Sequence, residues 1–106
     1  MSIKYEIYIP DRYLVNNEVC ILTDEGYKNH IEEVINMLPN NLTGFSIRHE
    51  DGYYRYNNNL FCMKNSVLYF FSDSANIDLT YIVEYIKSEL KQKEVLIVQN
   101  GVAKIW

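Results

Sequence analysis

From residue 3 to residue 9 the chain alternates. Ile3, Tyr5, Ile7 and Ile9 fall on one side, and Lys4, Glu6 and Tyr8 on the other. A period of two marks a strand with one buried face. Pro10 and Asp11 end it. Residues 10–22 read as a connector whose VCIL run is either a short extra strand or a plug over the core. The period then changes. Tyr27, Ile31, Val34, Ile35 and Leu38 recur at spacings of three and four, the stripe of an amphipathic helix. Thr23 stands ahead of Asp24 and Glu25 as an N-cap followed by first-turn acids, and Pro39 stops the helix near Leu38.

Alternation returns at Phe45, Ile47 and His49 against Ser46, Arg48 and Glu50. Beyond it, Asp51-Gly52 is either a two-residue hairpin turn or a bulge inside one long strand. The long strand is favoured, because Tyr53–Tyr56 suits a strand and the Asn57–Asn59 triplet suits a loop tip. An apolar strand follows from Leu60 to Phe71. A second helix is expected over residues 78–92, with Asp78 as its N-cap and Leu79, Ile82, Val83, Ile86 and Leu90 as its buried stripe. VLIVQ and VAKIW flank Asn100-Gly101, a strong hairpin signal. The order β-α-β-β-α-β predicts a single α+β domain over residues 1–106. It is a ferredoxin-like βαββαβ two-layer sandwich: an antiparallel sheet, two helices on one face and an extra C-terminal edge strand.

Two layers leave one sheet face without helices. The third and fourth strands are apolar at both parities, so that face needs a cover. A second copy, sheet on sheet, is the economical one, and Tyr8, Arg48, Phe70, Ile97 and Trp106 are the expected homodimer interface. The alternative cover is the 10–22 connector or the VAKIW strand. Tyr53, Tyr54, Arg55, Tyr56 and Asn58 form an aromatic, Arg and Asn cluster on one hairpin, the composition of a protein-contact element.

Composition narrows the partner. The 106 residues carry ten Lys and Arg against fourteen Asp and Glu, for a formal charge of −4. That balance disfavours bare nucleic acid, whose binders use cations to displace counterions. Aromatics on the middle strands leave an RNA-recognition module as a third class, although the Lys/Arg-Gly-Phe start of that signature is missing. Asp24, Glu25, Glu32, Glu33 and Asp78 could mimic phosphates, but a solvated helix face is the simpler account. His30 and His49 stand apart without the spacing of a metal site, so no metal or cofactor is expected. Cys20 and Cys62 sit in apolar runs and read as reduced, buried thiols. No phosphate-binding glycine motif or nucleophile elbow occurs. The first ten residues lack the pattern of a signal peptide, and no apolar run is long enough to span a bilayer, so a cytoplasmic protein is expected.

The stretch from Thr23 to Phe71 resembles an uncharacterised bacterial family of small ferredoxin-like domains. Thr23 and Asp24 match its helix start, with Tyr27 in place of a Trp. Leu38, Pro39, Leu42 and Thr43 match its loop, with Asn41 replacing a Gly. Gly52 and Tyr54 stand for Gly-x-Trp, and Ser66, Val67 and Leu68 match the last element. The resemblance implies the fold and no activity. Rich in Asn, Ile, Lys and Tyr, the chain also has the flavour of an AT-rich coding source such as a low-GC bacterium or its phage. The expected function is therefore a non-catalytic macromolecule-binding protein. One concrete version is a phage or mobile-element accessory protein that inhibits a host defence complex, as anti-CRISPR proteins do. The alternative is a dimeric ferredoxin-like small-molecule binder or enzyme with a pocket near Arg48, His49 or Tyr69.

Overall fold

Seven strands and two helices alternate along the chain in a computed structural model that describes residues 2–16, 18–42 and 44–106. They are β1 (Ile3–Pro10), β2 (Arg12–Val15), β3 (Glu18–Ile21), α1 (Asp24–Asn36), β4 (Ser46–Tyr56), β5 (Asn59–Ser72), α2 (Thr80–Glu89), β6 (Leu96–Gln99) and β7 (Val102–Ile105). The main sheet runs β4-β5-β1-β6-β7, every pair antiparallel. β2 and β3 form a separate hairpin. The connector is thus two short strands, closed at its base by a hydrogen bond from Leu22 N–H to the Asp11 carbonyl (2.9 Å).

Register decides which side chains meet the helices. Tyr5 faces Phe70 and Ile7 faces Leu68 across β1 and β5, while Ile7 also faces Ile97 of β6. Because side chains at paired positions share a face, all of these join Val34 and Leu38 from the α1 region and Ile82, Val83 and Ile86 from α2 in one core. Tyr5 stacks on Phe70 at 5.2 Å between ring centroids. The result is the ferredoxin-like two-layer sandwich, with the fifth strand β7 added at one edge.

Phe70 and Ile97 lie on this helix-covered face, exposed by 1% and 2%. Their expected place in a homodimer interface is therefore corrected: the residues of β5 that face the other way are Val67, Tyr69 and Phe71. Val67 is fully buried there without any helix above it. Its cross-strand partners are Tyr8 and Arg48. The Arg48 guanidinium donates to the Tyr8 hydroxyl (3.2 Å), so the pair bridges over the valine. The centre of the second face is covered by its own long side chains.

β4 and β5 keep one register from Ser46↔Tyr69 to Tyr56↔Asn59. Gly52 is therefore not a bulge. A Cβ there would stand 2.7 Å from the movable end of the Asn65 side chain, which would have to swing aside. The turn is Asn57-Asn58, both in the left-handed region (φ 49° and 65°), and Asn59 already belongs to β5. The same mirror-image turn recurs at Asn100-Gly101 (φ 50° and 82°) and suits the twist of a two-residue hairpin. β1 pairs with β5 only as far as Asn65, so the outer halves of β4 and β5 continue as a two-stranded ribbon.

The helix boundaries follow local chemistry. The Thr23 hydroxyl accepts from Gly26 N–H (3.0 Å) and starts α1 as expected. α2 is shorter than its apolar stripe. The Asp78 carboxylate accepts from Thr80 N–H (3.0 Å), and Leu79 becomes the cap. At the far end Lys91 turns left-handed (φ 57°), a conformation that cannot extend the helix to residue 92. Phe45 lies outside β4 and is exposed. Among the described residues no helix is long and apolar enough to cross a membrane.

Candidate ligand groove at the ribbon end

Four pieces of chain converge where the ribbon leaves the sheet. β1 runs out at Pro10, and Asp11 pins the ribbon base: its N–H donates to the Lys64 carbonyl (2.9 Å), and its carboxylate accepts from Lys64 N–H (3.0 Å). β2 follows at once. The loop from Lys91 to Glu94 arrives from α2, because β6 must begin beside Ile7 to pair with β1. Gln92 fastens this loop to β2. Its side-chain amide donates to the Arg12 carbonyl (2.6 Å) and the Leu90 carbonyl (3.1 Å).

These pieces enclose a groove of about 380 Å³. Tyr13 and Leu14 of β2 form one wall, and Tyr54 and Met63 of the ribbon form another. Tyr54 is backed by Phe61, their rings stacked at 5.3 Å. Arg12, Lys91 and Lys93 line the groove against a single acid, Glu94. Arg12 Nε is buried and has no hydrogen-bond partner among the described residues. The nearest carboxylate oxygen, on Asp11, stands 3.5 Å away and is already engaged by Lys64.

A second depression lies on the helix side between α1 and β4. About 520 Å³ in size, it is floored by Ile31, Ile35 and Ile47 and edged by Tyr27 and His49. Asp24, Lys28 and Glu32 also reach it. Its polar end is occupied by an internal network. The Tyr27 hydroxyl donates to the Ile9 carbonyl and accepts from Ser66 N–H (2.9 Å), while Ser66 Oγ and His49 Nδ1 are 3.0 Å apart. Burial raises the Tyr27 pKa above its ordinary value of 10.0. A third group of polar side chains lies on the helix-free sheet face. Arg48 pairs with Glu6 (2.6 Å) and Glu50 (3.2 Å), and its pKa is raised first by the hydrogen bond to Glu6. Tyr69 lies under both Lys4 Nζ (5.0 Å) and the Arg48 guanidinium (5.6 Å).

The expected contact cluster is divided by the ribbon's two faces. Tyr54 turns to the groove, whereas Tyr53 pairs with Cys62 on the opposite face and is 65% exposed. Arg55 and Asn58 are exposed, and the side chain of Tyr56 lies outside the described residues. Tyr8 and Arg48 meet on the helix-free face, and Trp106 follows β7 at the far edge. Arg48, His49 and Tyr69 do not share a pocket, because alternation puts His49 on the helix side. Arg12, Tyr13, Lys91 and Lys93 were not among the expected site residues. For the two lysines the signal was the Lys91-Gln92-Lys93 run, which also suits a helix C-terminus. The acidic residues of α1 and Asp78 are all exposed, and Asp78 is held below its usual pKa by Thr80 N–H. Among the described residues no group of three or more His, Cys, Asp or Glu could hold a metal ion. Cys20 and Cys62 are free and half-buried.

No family model matches the chain, and no curated protein sequence matches it. Solved structures do. A phage S-adenosylmethionine (SAM) lyase in complex with S-methyl-5'-thioadenosine superposes with a TM-score of 0.61 at 11% identity, over 99% of this chain and 87% of that one. A phage SAM lyase in the apo state gives 0.50 at 14% identity, over 98% and 86%. The periplasmic divalent cation tolerance protein CutA from Archaeoglobus fulgidus gives 0.54 at 8% identity, over 96% and 84%. At such identities the likeness is one of fold. The chain shares a fold with small proteins that include both an enzyme and a cation tolerance protein.

Proposed function

We propose that the chain is a self-associating small-ligand protein that binds an adenosine-type molecule in the ribbon-end groove. The observation that carries this is the groove itself. Two tyrosines line it, and polar and cationic groups stand beside them. The choice of adenosine is supported by the whole-length likeness to a lyase holding a thioadenosine. Self-association is supported by β7, an edge strand with exposed Val102 and Ile105 and with Trp106 just beyond it. Calorimetric titration with S-methyl-5'-thioadenosine, and chromatography of a SAM incubation, test the proposal. Binding that Tyr54→Ala weakens at least fivefold supports it. No binding of either molecule, nor of adenosine or AMP, at millimolar concentration sinks it. Binding without turnover keeps the non-catalytic character expected from the sequence.

A protein-contact role, including inhibition of a host defence complex by a phage-encoded protein, is favoured by a different observation. Tyr53 and Leu60 stand 65% and 59% exposed on the ribbon, beyond the helices. Exposed aromatic and aliphatic anchors on a projecting element are typical of contact hot spots. A phage-plating assay on a host with an active defence complex separates the two roles. Protection lost in Tyr53→Ala/Leu60→Ala but kept in Tyr54→Ala supports contact, and no protection by the parent chain removes it.

A further inference from the structure

We propose that the ligand of the ribbon-end groove carries a phosphate group, so that the site takes an anionic adenine nucleotide in preference to an uncharged or cationic nucleoside. This deepens the proposed function and rests on its placing of the ligand. Charge supplies the first reason. The chain has ten cations and fourteen acids, but the groove has three cations, Arg12, Lys91 and Lys93, against Glu94 alone. Counting Asp11, 3.5 Å from Arg12 Nε, the groove and its edge carry three cations against two acids, +1, and the rest of the chain −5. A local reversal of sign in an acidic protein concentrates anions and repels cations. SAM itself carries a sulfonium and an ammonium against one carboxylate, which is the wrong sign for this wall.

The second reason is the state of Arg12. Its Nε is buried and stands 3.5 Å from the Asp11 carboxylate, but the side chain as a whole is 29% exposed and lines the groove. A guanidinium fork matches phosphate oxygens. The third is the setting of the lysines. Gln92 ties the loop that bears them to β2, so Lys91 and Lys93 are held next to Arg12 by the backbone. Tyr13 and Tyr54 then stand where a base could stack while the phosphate meets the cations. A volume of about 380 Å³ suits a mononucleotide.

The test compares AMP, adenosine, S-methyl-5'-thioadenosine and inorganic phosphate by titration calorimetry at low and high salt. AMP is expected to bind at least tenfold tighter than adenosine, and the advantage should shrink as salt rises. The double variant Lys91→Gln/Lys93→Gln, both exposed residues, should abolish the advantage of AMP over adenosine. AMP binding no tighter than adenosine overturns the phosphate inference, as does an advantage that survives the double variant. In either case adenosine or thioadenosine binding that Tyr54→Ala weakens still supports the groove as a nucleoside site. If none of the nucleosides or nucleotides binds, both proposals fall.

Discussion

The Tyr27 hydroxyl is the polar hinge of the core, and Tyr27→Phe isolates it. Ile9 and Ser66 are paired residues of β1 and β5. The hydroxyl stands between their backbone groups, accepting from Ser66 N–H at 2.9 Å and donating to the Ile9 carbonyl. Both residues are almost fully buried, so their backbone groups depend on the phenol for partners. Two hydrogen bonds at roughly 0.5–1.5 kcal/mol each set the loss at about 1–3 kcal/mol. Closure of a direct Ser66–Ile9 bond would bring the value to the lower end. For 106 residues the unfolding entropy near the midpoint is about 0.22 kcal/mol/K, so ~2 kcal/mol lowers Tm by about 9 °C. Urea unfolding followed by circular dichroism at fixed protein concentration measures it. The pH dependence gives an independent check. The folded-state pKa of Tyr27 is raised above 10.0, so its contribution is complete below that pH and is lost as pH climbs through the folded value. The gap between parent and Tyr27→Phe should therefore narrow from pH 9 toward pH 11. A difference under about 0.5 kcal/mol at neutral pH would refute the structural role given to the hydroxyl.

Leu68→Ala should cost about 2–5 kcal/mol by urea unfolding, because the side chain is fully buried between β1 and β4 on the helix face. Gly101→Ala should cost about 1 kcal/mol although nothing lies within 4 Å of its added carbon, since the penalty is the left-handed φ of 82°; an unchanged Tm would contradict that. Arg48→Met should cost about 1–3 kcal/mol by urea unfolding, because it removes the partner of Glu6, whose side chain is only 14% exposed, whereas the pair with Glu50 is exposed. Ile105→Lys on the exposed β7 edge should lower the mass seen by light scattering at micromolar concentration, and a parent chain that is already monomeric would remove the self-association proposal.

Local patterns carried most of the architecture. The alternation at residues 3–9, the stripe from Tyr27 to Leu38 and the Asn100-Gly101 turn each specify their element with their own neighbours, and each appears where the pattern places it. Errors arose where two local accounts were equally good. Asp51-Gly52 fits a two-residue hairpin turn or a bulge, and only the unbroken pairing of β4 with β5 shows that it is neither. Phe70 and Ile97 lie in strands apolar at both parities, so composition could not say which parity the helices cover.

The sequence alone determined the element types, the ferredoxin-like order and the acidic character of the chain, because period, caps and charge are properties of neighbours along the backbone. Tertiary structure decided everything that depends on register and on distant pairs. It turned Val67 rather than Phe70 to the helix-free face, split Tyr53 from Tyr54, and gathered Arg12, Tyr54 and Lys91 into one groove. Those residues lie far apart in sequence, and only strand pairing, which sets where β1 ends and β6 begins, could bring them together.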